Sequence, residues 1–182
     1  MVQLELETVQ WVPAAQPPHR EIEQDPGADA RLEMCELAVA GDERFAVSRI
    51  ELDREGPSYT VDTLRELHEQ SPEDELFLIL GGDQAASFPS WHEPEEVLAL
   101  ATVAVVERTG FHRSAVGVKM GRLKGYKRVR FFDMPRVDVS SSLVRRRAAA
   151  GLPIRYLVTD KVANFIGAQS LYGSSTPVAT EG

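Results

Sequence analysis

Two short apolar runs constrain the fold more than anything else in the chain. ELFLILGGD, from Glu75 to Asp83, and TVAVVER, from Thr102 to Arg108, are continuous rather than alternating. Runs of this kind read as strands buried on both faces, which occur in parallel sheets covered by helices. Helical segments fall between the apolar runs along the rest of the chain. The pattern predicts an α/β fold, Rossmann-like, with a parallel sheet and helices on both faces.

The other elements follow from local signals. TVQWV, Thr8 to Val12, reads as a buried strand stopped by Pro13, and the prolines of Ala14 to Arg20 make a stiff loop. Ala28, Leu32, Cys35 and Val39 form one apolar stripe of a helix that Gly41 ends. FAVSRIEL, Phe45 to Leu52, reads as the next strand. The turn GPSYT then opens a helix with Thr60 as its N-cap, followed by Thr63, Leu64 and Leu67. A short helix is expected from about Pro94, and a last strand over Val129 to Met134. Residues 109–128 show no clear period and read as loop. A helix follows the serines at 140–142, and a final one crosses Asp160 to Ile166. Residues 1–172 are expected to form a single domain, with 173–182 a disordered tail.

Charge is unevenly placed. Residues 1–107 carry 6 basic and 24 acidic side chains, a net −18, whereas 108–161 carry 14 basic and 3 acidic, a net +11. A basic back on an acidic protein either faces an anion or is simply a dipolar surface. Cys35 is the single cysteine, and MVQLELET is not a signal peptide. Both suit the cytoplasm, and no apolar run approaches the roughly 20 residues that span a bilayer. The sequence leaves the oligomeric state open, a homo-oligomer included.

In parallel sheets ligands bind at the carboxyl ends of strands. VDVSSSLVRRR, Val137 to Arg147, stands at one such end. Ser140 to Ser142 can cap a helix whose free N–H groups bind anions. Cations are unfavourable near an electropositive helix start, so Arg145, one turn in, makes sense if a polyphosphate docks there; an exposed basic face is the alternative. Arg146 and Arg147 read as solvent-facing. Gly81 allows close approach of a ligand, and Asp83 can accept from a ribose hydroxyl. Trp91 and His92 share a turn, where the indole either stacks on a flat ring or covers the core. His19 lies on a loop, solvated or functional. The phosphate-loop and dinucleotide glycine motifs, metal-spaced His/Cys clusters and the G-x-S-x-G elbow are absent. Arg113 to Arg130 is basic but has one aromatic and no reader motif, so no nucleic-acid partner is expected.

Taken in order, WVPAAQPPHR, RLEMCELAVAGDERFAVSRIEL, GPSYTVDTLREL, LFLILGGDQAASFPSWHEPEEVL and VDVSSSLVRRR resemble the bacterial nicotinate-nucleotide adenylyltransferases over roughly residues 8–168. The last is similar to that family's I-S-S-T-x-I-R motif, with Val139, Ser142 and Val144 as conservative replacements. The resemblance implies transfer of the adenylyl group of ATP to nicotinate mononucleotide with Mg²⁺, giving nicotinate adenine dinucleotide and pyrophosphate in NAD synthesis. It implies that Ser140, Ser141 and Arg145 hold the ATP phosphates, and that Gly81 and Asp83 line the nucleotide ribose. Tyr59 and Thr60 in PSYT, with Trp91 and His92, would receive the nicotinate ring and its carboxylate. His19 would lie near the mononucleotide phosphate.

One departure qualifies this. The family opens with a strand and loop reading G-G-T-F-D-P-x-H-x-G-H, and nothing in residues 1–20 matches it. The resemblance therefore implies a sheet without its first, central strand and an impaired chain as written, with the natural start expected upstream. Apart from Arg145, no catalytic residue is assigned. A related adenylyltransferase of pantetheine phosphate or nicotinamide mononucleotide, or a non-catalytic nucleotide-binding protein, are the competing expectations.

Overall fold

A computed structural model describes residues 2–16, 25–107, 113–135 and 137–173. They form two compact units, one of residues 1–57 with 138–182 and one of residues 58–137. Among the described residues every strand pairing is parallel, as the apolar runs predict, but the five strands lie in two sheets.

The first unit pairs β1 (Val9–Trp11) with β2 (Phe45–Val47) through the crossover helix α1 (Ala28–Val39). The strand read as buried from Thr8 to Val12 is not buried. Trp11 is 40% exposed, and its indole meets the edge of Phe45 at 6.4 Å. Only one side of β1 is paired among the described residues, so little covers it. The predicted strand Phe45 to Leu52 also stops early. The Ser48 hydroxyl accepts from the Ile50 N–H, and the Leu52 and Asp53 N–H groups fold back to the Arg49 carbonyl. Those turn bonds replace ladder bonds.

Helix α1 buries Leu32 of the predicted stripe, while Met34, Leu37 and Ala38 pack on the unit's core. That core joins Val144 and Ala148 of α6 (Ser141–Ala149) to Val162, Ala163 and Ile166 of α7 (Asp160–Ala168). Thr159 caps α7, its hydroxyl accepting from the Val162 N–H.

In the second unit β4 (Thr102–Glu107) lies between β3 (Phe77–Gly81) and β5 (Val129–Asp133). Val103, Ala104 and Val105 of β4 are buried, as a central parallel strand requires. Among the described residues β3 is an edge strand instead, and Ile79 is 41% exposed, contrary to burial on both faces. The core beneath contains Val61 and Leu64 of α2 (Thr60–Gln70), Phe88, and Val97 and Leu98 of α4 (Pro94–Leu100). Side chains of this size contribute about 1.5–3 kcal/mol each when fully buried.

Two helices escape the sequence reading. α3 (Gly82–Ser87) begins inside the stretch read as strand, where Gly81 already has extended N-cap geometry. α5 (Arg113–Met120) replaces the expected loop over 109–128. It buries Val116 and Met120, one turn apart, and Tyr126 packs beside Gly117, where an added Cβ would lie 3.1 Å from the phenol oxygen. Two core-facing apolar residues in eight are too few to show a period. Among the described residues no helix is long and apolar enough to cross a membrane.

Candidate functional site

Tyr59 and His92, two of the candidate residues of 58–137, meet where α2 begins. Tyr59, extended at φ −79°, is the N-cap of α2, and its carbonyl accepts from the Asp62 and Thr63 N–H groups. Thr60 is therefore the first helical residue and not the cap predicted from sequence. The Tyr59 side chain makes no capping bond at this start. The Tyr59 ring lies on the His92 imidazole, 4.4 Å between centroids and tilted by 31°.

His92 follows a 3-10 turn at Phe88–Ser90 and precedes α4. Trp91 sits between, half-buried, its indole 5.2 Å from Phe88. It does help cover the core, yet it stays partly exposed beside His92. So Tyr59, Thr60, Trp91 and His92, distant in sequence, come from adjoining segments of one unit.

The turn is closed by charge. Glu93 adopts φ 47°, a left-handed conformation, and starts α4 by accepting from the Glu96 and Val97 N–H groups. Its carboxylate pairs with Arg65 of α2, and with the His92 Nε2 at 3.1 Å. Asp62 holds the same guanidinium at 3.1 Å. The hydrogen bond from Arg65 draws the Glu93 carboxyl below its usual range against a small desolvation cost. Sequence reading misses both residues. An Asp62–Arg65 pair at i,i+3 is visible in the chain, but glutamate is not a residue that announces a left-handed turn.

Gly81 ends β3 and Gly82, buried, starts α3, so Asp83 stands exposed in that helix's first turn. This is the placement expected of a residue reaching a ligand beyond a strand's carboxyl end.

The other unit carries the serine–arginine segment. Ser140 is the N-cap of α6, its hydroxyl accepting from the Leu143 N–H at 3.2 Å, as predicted. Ser141 opens the helix and is exposed. Arg145 donates to the Ser142 hydroxyl at 3.3 Å. Its charge is also felt by Asp25. Burial alone would raise the Asp25 carboxyl, but the Gly27 N–H and the Arg31 and Arg145 guanidinium groups bring it below its usual value. Arg31 meanwhile donates to the Ala14 and Ala15 carbonyls, so it ties the loop after β1 to α1.

Arg146 and Arg147 have a plainer explanation than the sequence suggests. α6 is nine residues long, so both lie in its last turn, where cations complement the dipole. Arg147 is not simply solvent-facing: its Nε donates to the Pro153 carbonyl at 2.9 Å. His19 lies outside the described residues. Among the described residues no group of three or more His, Cys, Asp or Glu is placed to hold a metal ion.

Comparison with known proteins identifies the family. The cytidylyltransferase-like family matches residues 2–147. A Geobacillus thermodenitrificans protein named "Probable nicotinate-nucleotide adenylyltransferase" is 40% identical over 176 residues, 97% of this chain and 77% of the relative. A Herpetosiphon aurantiacus protein of the same name is 40% identical over 171 residues, 94% of this chain and 86% of its own length. Among solved structures, a Plasmodium falciparum nicotinic acid mononucleotide adenylyltransferase complexed with NaAD has a TM-score of 0.70 at 17% identity, over 93% of this chain and 84% of that one. That likeness speaks to the fold. The chain belongs to the cytidylyltransferase-like family of nucleotidyltransferases, and within it to the nicotinate-nucleotide adenylyltransferases.

Proposed function

We propose that the chain transfers the adenylyl group of ATP to nicotinate mononucleotide, releasing pyrophosphate and forming nicotinate adenine dinucleotide for NAD synthesis. The observation that carries this reading is the cluster at the start of α2, where Tyr59, Trp91 and His92 gather aromatic surface beside helix N–H groups. An aromatic acid needs both: a flat face to stack on and donors for its carboxylate.

In this reading the Trp91 indole stacks on the pyridine ring. Backbone donors near Thr60 and His92 take the carboxylate, and His19 lies near the mononucleotide phosphate. Gly81 and Asp83 face the adenylyl ribose. Ser140, Ser141 and the first N–H groups of α6 hold triphosphate oxygens, with Arg145 as a fixed cation. The mononucleotide phosphate attacks the α-phosphorus, a P–O bond forms, and the α–β bridge breaks to release pyrophosphate. A phosphate nucleophile is already ionised and needs no general base. Catalysis then rests on positioning and on neutralising charge that grows on the leaving group. Mg²⁺ enters this reading as the counter-ion that ATP brings with it.

The test is a product assay. ATP and nicotinate mononucleotide are incubated with the protein, and the dinucleotide and pyrophosphate are quantified. Equal amounts of both support the proposal. Binding of either nucleotide by calorimetry, with no pyrophosphate formed by this chain or by a version extended to an upstream start, supports a non-catalytic nucleotide-binding protein instead.

A further inference from the structure

We propose that Arg65 is a positioning residue for the mononucleotide, holding the Trp91–His92 turn against the start of α2 through Glu93. This rests on the reading of Tyr59, Trp91 and His92 as the side that receives nicotinate mononucleotide.

The geometry is a closed circuit. Tyr59 is the N-cap of α2 and Arg65 lies six residues further along it, while His92 and Glu93 are adjacent on the turn. Tyr59 stacks on His92, Arg65 pairs with Glu93, and Glu93 also reaches His92 at 3.1 Å. Asp62 steadies the guanidinium from within α2. Two fastenings at separate points prevent the turn from pivoting about either. Trp91, next in the chain, is thereby aimed as well as anchored on Phe88.

The backbone supports the same conclusion. Glu93 has φ 47° and ψ 56°, a conformation that glycine adopts without cost and other residues hold only when their surroundings require it. Glycine there would relieve the backbone but would carry no carboxylate for Arg65 or His92. The ion pair itself is partly exposed, with 38% and 43% of the two side chains accessible. Pairs of that kind add little to stability. A costly backbone and a weakly stabilising pair make poor sense as scaffolding. They make sense if the orientation of the turn is what matters.

The test uses Trp91 as its own reporter. Trp11 and Trp91 are the two tryptophans, so Trp11→Phe leaves Trp91 alone. In that background, Arg65→Ala and Glu93→Gly are compared by thermal unfolding, by Trp91 anisotropy without ligand, and by calorimetry with nicotinate mononucleotide and with ATP. Expected are lower Trp91 anisotropy and an approximately tenfold weaker mononucleotide affinity in both variants, with ATP affinity within twofold. Arg65→Lys should recover most of the mononucleotide affinity. Glu93→Gly should melt no lower than its parent while still losing affinity, which a purely structural role would not allow. Unchanged Trp91 anisotropy in both variants overturns the proposal, whatever binds. Failure of the parent protein to bind the mononucleotide, with Trp91 anisotropy responding as expected, overturns the ligand assigned to the turn and leaves the clamp in place.

Discussion

The turn at Trp91–His92 and the start of α6 carry the two principal sets of candidate residues, and they are held by different means. Around the turn the aromatic residues have protein partners: Tyr59 has His92 and Trp91 has Phe88, while Glu93, beside them, has both Arg65 and His92. At α6 the Ser140 hydroxyl is used as a cap, but Ser141 is exposed and Arg145 has a 3.3 Å contact to Ser142. A flat aromatic ligand is recognised by shape, which requires walls set beforehand. A triphosphate is recognised by charge, which a helix start and a guanidinium supply without enclosure. Under the proposed function, the contrast means that ring selection would be built into the fold at the turn, whereas phosphate binding would be left to groups that the ligand itself completes.

Removing the cation breaks the phosphate side first. Arg145→Ala should lower kcat/KM by about 10²–10³-fold in steady-state assays, the scale of losing one preorganised charge-stabilising group. The effect should appear in kcat and in ATP affinity, with mononucleotide affinity spared. Equal losses for both substrates would erase the division between the two regions.

Trp91→Ala attacks the other side. One lost stack amounts to about 1.4 kcal/mol, and calorimetry should show a mononucleotide Kd raised by about tenfold. ATP binding should hold. The smallest effect is expected for Ser140→Ala, which removes the cap from α6 at about 1 kcal/mol, or about 3 °C in Tm by calorimetric scanning. Loss of ATP affinity in that variant beyond the stability change would separate the hydroxyl's proposed triphosphate contact from its capping role.

Much of this architecture is legible in the chain itself. The parallel strands follow from continuous apolar runs, and the helix cap from the three serines at 140–142. The places where sequence misleads share a cause. Ile79 and Trp11 look like core residues because hydrophobicity reports a preference for burial, not whether a neighbouring strand is present to provide it. α5 is hidden because it meets the core with two side chains, and α3 because glycines ending a strand and opening a helix read alike. Thr60 suggests itself as the cap because its hydroxyl suits the position, yet the extended backbone falls on Tyr59. The Arg65–Glu93 pair spans 28 residues, and no local pattern encodes a partner at that distance.

The central claim is that the aromatic turn serves an acid. Nicotinate and nicotinamide mononucleotides, offered together at equal concentration with ATP, decide it through the ratio of the two dinucleotides formed. The account predicts a clear excess of the nicotinate product, because helix N–H groups favour a carboxylate over a neutral amide. Equal products, or an excess of the amide, would contradict it.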